Sequence, residues 1–122
     1  MKIAITAKSD NLDSVVDPRF GRCSHFLIVE TDTMSSEHIS NESAMASGGA
    51  GIQAAQTVAK TGVKAVITGN IGPNAFQTLS AAGIKVFTGA EGTIKDAIES
   101  FKKGELSKAE DANVGSHSGM RR

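Results

Sequence analysis

The chain has 122 residues, enough for one domain, and its thirteen Lys and Arg balance thirteen Asp and Glu. That balance excludes a polybasic nucleic-acid or membrane-surface protein, and 39% hydrophobic against 21% charged residues excludes a disordered chain. With five Phe and neither Tyr nor Trp, it also lacks the rings on which single-stranded nucleic acid stacks. Cys23 is the one cysteine, so no internal disulfide forms. No leader pattern follows Met1-Lys2, and no run approaches the roughly 18 apolar residues of a membrane span. A reducing cytoplasmic location is expected, with neither nucleic acid nor membrane as partner.

In chain order, Met1–Ala7 reads as a strand through Ile3 and Ile5, followed by a polar loop over 8–22. Ser24–Glu30 is a second strand with apolar residues on both faces, which predicts burial of both. After the turn residues Thr31-Asp32-Thr33 comes a polar strand over Glu37–Asn41, suited to a sheet edge. With no helix between them, these three strands form an antiparallel meander. Past Gly51 the period changes. Ile52, Ala55, Val58 and Ala59 share a helical face, and Gly62 ends that helix. A strand (Lys64–Thr68), a helix (Pro73–Ala82), a strand (Ile84–Thr88) and a helix (Thr93–Lys103) follow. Pro73 suits a first helical turn, and Thr93 with Asp96 reads as a capping-box variant. This alternation implies right-handed crossovers between parallel strands. Residues 1–104 make the domain, and 105–122 a flexible polar tail expected to leave from the edge opposite the helix starts.

Three helices are expected to start on the same edge, each after glycines: Gly48-Gly49-Ala50-Gly51, Gly69-Asn70-Ile71-Gly72 and Gly89-Ala90-Glu91-Gly92. Helix N-termini offer N–H donors and partial positive charge, so this edge suits an anion, in a crevice between the first and fourth strands. Gly48, Gly49, Gly51, Asn70 and Gly72 are the candidate contacts, with Arg19 and Arg22 adding charge from the first loop. In extended backbone Cys23 and His25 point to one face, where a thiolate and an imidazole can ligate a metal. The two arginines would lower the Cys23 pKa. The remaining histidines, His38 and His117, do not complete zinc-finger spacing. His117 in the tail is a candidate third ligand or lid. Three other readings stand beside these: a buried structural cysteine beside a polar histidine, a thiol-dependent enzyme using Cys23 and His25, and a regulatory module for a phosphorylated small molecule. The enzyme lacks a third catalytic group, and neither a P-loop nor a G-x-G-x-x-G is present.

The Asp17-x-Arg19-Phe20-Gly21-Arg22-Cys23 run, the Gly48-Gly49-Ala50-Gly51-Ile52 helix start and Gly69-Asn70-Ile71-Gly72-Pro73-Asn74-Ala75 resemble the dinitrogenase iron–molybdenum cofactor biosynthesis family. The resemblance runs from Met1 to about Lys103 and keeps the order of all three blocks. It implies an α/β fold with a ribonuclease-H-like motif, a mixed five-stranded sheet in order 3-2-1-4-5 and three helices. It further implies a non-enzymatic carrier of nitrogenase cofactor precursors or other metal–sulfur clusters, working between cluster donor and acceptor assembly proteins. Such clusters are anionic and accept hydrogen bonds at sulfide, which suits helix N-termini and arginines better than a closed cage of cysteines.

Overall fold

The computed structural model describes residues 1–42 and 49–109. Its elements are β1 (Lys2–Ala7), β2 (His25–Glu30), β3 (Ser35–Ser40), α1 (Ala50–Ala59), β4 (Ala65–Ile67), α2 (Pro73–Ala81), β5 (Lys85–Thr88), α3 (Ile94–Lys102) and β6 (Ser107–Lys108). The sheet runs β3-β2-β1-β4-β5-β6. β1, β4 and β5 are parallel, while β2, β3 and β6 pair antiparallel with their neighbours. The expected antiparallel meander, the parallel pairing of β1, β4 and β5, and the order of the first five strands hold. The sheet has six strands, not five.

The sixth strand lies in the segment expected to be tail. Ser107 pairs with Thr88 and Lys108 with Phe87, and the Ala109 N–H donates to the Val86 carbonyl at 2.8 Å. The chain after α3 therefore resumes beside the carboxyl end of β5, not at the opposite edge. Leu106, packed among the residues around α3, turns it back. Two exposed polar residues carry no periodicity, so sequence pattern has nothing to detect there.

The sheet buries both faces because its central strands alternate between two cores. Ala4, Phe26, Ile28, Val66 and Val86 pack against Ala54, Ala55 and Val58 of α1 and Ala75 and Leu79 of α2. Ile3, Ile5, Leu27, Val29 and Ile67 pack against Ile94, Ala97 and Ile98 of α3. β3 closes one side as a mostly exposed edge. Among the described residues no helix is long and apolar enough to cross a membrane.

The loop between β1 and β2 crosses the carboxyl ends of β1 and β4 and is tied down there. Asp17 N–H donates to the Thr6 carbonyl at 3.0 Å, and the Thr6 hydroxyl returns a 2.6 Å bond to the Asp17 carbonyl. Thr68 places its hydroxyl 2.9 Å from that of Thr6, so both buried oxygens are satisfied. Farther along, Asn70 N–H donates to the Pro18 carbonyl (2.7 Å) and Phe20 N–H to the Asn70 carbonyl (3.2 Å), a short parallel ladder. Gly69 makes this approach possible: a Cβ there would lie 2.8 Å from Pro18 Cα and 3.0 Å from the Pro18 carbonyl oxygen. Backbone cannot yield as a side-chain tip can. Gly69→Ala is expected to cost about 1–3 kcal/mol, measured as a lower urea midpoint with an unchanged slope.

Candidate functional site

Gly21 has φ 101°, a conformation natural to glycine, and lays the loop against the first turn of α1. A Cβ on Gly21 would meet Gly51 Cα at 3.1 Å and Gly51 N at 3.3 Å. On its other side Gly51 faces Ala75, whose Cβ would sit 3.4 Å from an added one. These contacts draw the N-termini of α1 and α2 together. Between them and the loop lies a pocket of about 260 Å³, walled by Phe20, Gly21 and Arg22 from the loop. Gly49, Ala50, Gly51 and Ile52 supply the α1 side, and Gly72, Pro73, Asn74 and Ala75 the α2 side.

Neither helix has a side-chain cap: Gly49 and Gly72 occupy the N-cap positions. The first intrahelical bonds are donated by Gln53 to Gly49 and by Phe76 to Gly72. The N–H groups ahead of them, at Ala50, Gly51 and Ile52 and at Asn74 and Ala75, therefore lie at the pocket without an intrahelical acceptor. Pro73, at the first helical position of α2, gives up only a donor that has no acceptor in the helix. Each helix end carries about half a positive charge, no acidic residue stands in either first turn, and Arg22 lines the same space. The arrangement suits an anion.

The third helix start does not take part. Thr93 and Asp96 form a reciprocal capping box, at 3.1 and 3.2 Å, and the Ile94 N–H donates to the Ser14 carbonyl at 2.8 Å. α3 also packs on the other face of the sheet. Three expected donor ends are thus two. The crevice between β1 and β4 is itself filled by the Thr6–Asp17–Thr68 contacts, which displaces the pocket toward α1 and α2.

Of the sequence candidates, Arg22, Gly49, Gly51 and Gly72 line the pocket. Arg19 and Asn70 instead form the backbone bridge that holds its loop. The Arg19 guanidinium folds back onto buried Asp17, donating from Nε (3.2 Å) and Nη2 (3.2 Å), and this pairing raises its pKa. Gly48 and His117 lie outside the described residues. Phe20 and Asn74 also line the pocket and were not among the candidates, although Phe20 precedes Gly21 and Asn74 lies two residues after Gly72.

Cys23 and His25 do not share a face. β2 begins only at His25, so Cys23 sits in the turn before the strand and escapes its alternation. The thiol is fully buried with Phe20, Phe26 and Ala4 on the α1–α2 side. His25 has the parity of Leu27 and Val29, which face α3. Asn41 fixes the turn, its Nδ2 donating to the carbonyls of Gly21 (3.0 Å) and Cys23 (2.9 Å). Burial, and then the negative charge of Asp17, push the Cys23 thiol up to about 12. The net shift is thus opposite to the lowering expected from the arginines, and the thiol–imidazole pair that the metal and enzyme readings need is not formed.

Two solved structures and one further relative are similar to this chain. The apo orange protein of Desulfovibrio gigas is 45% identical, with 93% of this chain and 96% of that one covered and a TM-score of 0.89. A Thermotoga protein described as NifB-like is 37% identical, covering 88% and 91%, with a TM-score of 0.77. An uncharacterised protein of Methanocaldococcus jannaschii is 35% identical, covering 90% of this chain and 92% of its own length. Residues 1–104 match the family described as dinitrogenase iron–molybdenum cofactor, and the chain belongs to that family.

Proposed function

We propose that the chain is a carrier, not a catalyst, for an anionic metal–sulfur cluster or a precursor of the iron–molybdenum cofactor. The observation that carries this reading is the pocket where two helix N-termini without side-chain caps meet the Phe20–Arg22 loop. Family membership supports the class of cargo. N–H groups donate to the sulfides, and the two helix ends with Arg22 offset the negative charge. Cys23, protonated at neutral pH and buried, forms no bond to the cargo. Held by hydrogen bonds and charge alone, a cluster leaves intact. That is what passage from a donor to an acceptor assembly protein in the cytoplasm requires. The carrier unit comprises the expected 1–104 together with β6. A phosphorylated small molecule would use the same donors, so the test includes one.

Anaerobic titration of the apo-protein with isolated iron–molybdenum cofactor, followed by absorption, is expected to saturate at one equivalent. No uptake of cofactor, alongside saturable binding of inorganic phosphate, would replace the carrier with the phosphate module. Gly49 has φ 73°, an added Cβ would lie 4.0 Å from the Gln53 side-chain nitrogen, an ordinary contact, and Asn and Asp are the residues that best tolerate that backbone. Gly49→Asp is expected to bind cofactor about tenfold more weakly than Gly49→Asn, because only the former sets a negative charge at the helix end. Equal affinities would put the cargo elsewhere.

Cys23→Ala is expected to leave cofactor affinity unchanged and to cost about 1–2 kcal/mol of stability through lost packing. The wild-type thiol also links stability to pH. It ionises near 9 when unfolded and near 12 when folded, so the folded state retains the proton over that range. Its contribution is complete below about pH 9 and declines above it. Urea unfolding at neutral and alkaline pH is expected to show a steeper alkaline loss in wild type than in the alanine variant.

A further inference from the structure

The two edges of the sheet are not alike. β6 is two residues long and carries Lys108, and shortness and lysine are both devices that keep an edge from pairing with another chain. β3 has six residues, pairs with β2 without a bulge from Ser35 to Ser40, and contains neither lysine nor proline. Among the described residues nothing pairs with its outer side. One bond settles which backbone groups face outward. The Asn41 N–H donates to the Ser24 carbonyl at 2.9 Å, and antiparallel pairs alternate between bonded and non-bonded. Ser35, Glu37 and Ile39 therefore bond to β2, while the N–H and C=O groups of Ser36, His38 and Ser40 point away from the sheet. The side chains of these three residues stand on the α3 face, opposite Val29, Leu27 and His25. His38 packs there edge-to-face on His25, with ring centroids 5.7 Å apart.

We propose that β3 is a dimer interface, on which a second copy of this chain adds its own β3 in antiparallel pairing about a twofold axis at His38. Such an axis stands perpendicular to the sheet and preserves its faces, so each residue meets itself or one an even number of positions away. Centring on His38 sets Ser36 against Ser40, His38 against His38 and Ser40 against Ser36. Every outward N–H and C=O of the three then finds a partner, and serines and histidines face their own kind. No other centre does this. Centring on Ile39 carries Ser36 past the strand to Glu42, and centring on Glu37 carries Ser40 past it to Met34. The latter also opposes two carboxylates directly, which is unfavourable. The edge is thus complementary to itself in a single register. None of its residues lines the anion pocket, and α1 and α2 of both copies come to lie on one face of the joined sheet.

Sedimentation equilibrium of the tag-free full chain is expected to show reversible dimerisation between micromolar and millimolar concentration. A monomer throughout would leave this edge to a strand of some other protein and overturn the proposal. His38→Pro removes the central outward N–H without touching a bond to β2, and an edge strand tolerates proline at such a position. It is expected to weaken dimerisation about tenfold or more. His38→Lys, which opposes two lysines on the axis, is expected to weaken it as well, with added salt restoring part of the loss. Circular dichroism checks that both variants fold. Cross-linking then reads the register, since Cys23 is buried and leaves the engineered thiol to react. His38→Cys is expected to form a disulfide between copies under mild oxidation. Glu37→Cys is not, because the register offsets its two Cα atoms by more than about 7 Å. Dimerisation unchanged in both His38→Pro and His38→Lys, or faster cross-linking through position 37 than through 38, would overturn the proposal.

Discussion

The site depends on a contact between two backbones that no side chain separates. Gly21 meets Gly51 at a distance that a methyl group would violate, and Gly51 in turn meets Ala75. Because these approaches are close, the positive ends of α1 and α2 lie side by side, an arrangement two helix dipoles do not favour unaided. Core packing of Ala54, Ala55 and Val58 against Ala75 and Leu79 holds them there. The fold thus keeps two like partial charges together, and an anion between them would relieve their repulsion. The Pro18–Asn70 ladder secures the same loop from the β4 side, and buried Asp17 holds its arginine away from the pocket.

The two faces of the sheet treat their helix ends differently. On the α3 side, Thr93, Asp96 and the Ser14 carbonyl take up the first donors, so that end is closed by the protein's own oxygens. On the α1–α2 side glycines stand where capping hydroxyls or carboxylates would, which leaves the donors without a side-chain cap. Replacing a capping residue by glycine costs only a few tenths of a kcal/mol, so two open ends are a small sacrifice of stability. The same glycines that leave the donors uncapped also let the chains approach.

Much of this was legible in the sequence, for identifiable reasons. The doubly apolar pattern of Phe26–Val29 marks a central strand, and Ser-rich β3 marks an edge, because each pattern reports directly on burial. Gly49 and Gly72 announced uncapped helix starts. The errors arose where tertiary contacts decide. Capping by Ser14 from a distant loop cannot be read from the residues around Thr93. The alternation rule failed at Cys23 because the strand starts two residues later, which reverses the predicted face. β6 depends on Leu106 finding the core around α3, not on any preference of Ser107 and Lys108 themselves. The nearness of His25 and His38 follows from strand pairing, which spacing alone does not fix.

Burial of Cys23 has a consequence for chemical durability. Sulfur-rich cargo and its breakdown products exchange readily with accessible thiolates, and oxidants convert such thiolates to sulfenic acids and disulfides. A protonated thiol enclosed by Phe20 and Phe26 offers neither the nucleophile nor the access these reactions need. It is the one cysteine of the chain, so its burial also leaves no exposed thiol to join two copies by a disulfide. On the carrier reading, oxidants that destroy a bound cluster would leave this buried thiol unmodified.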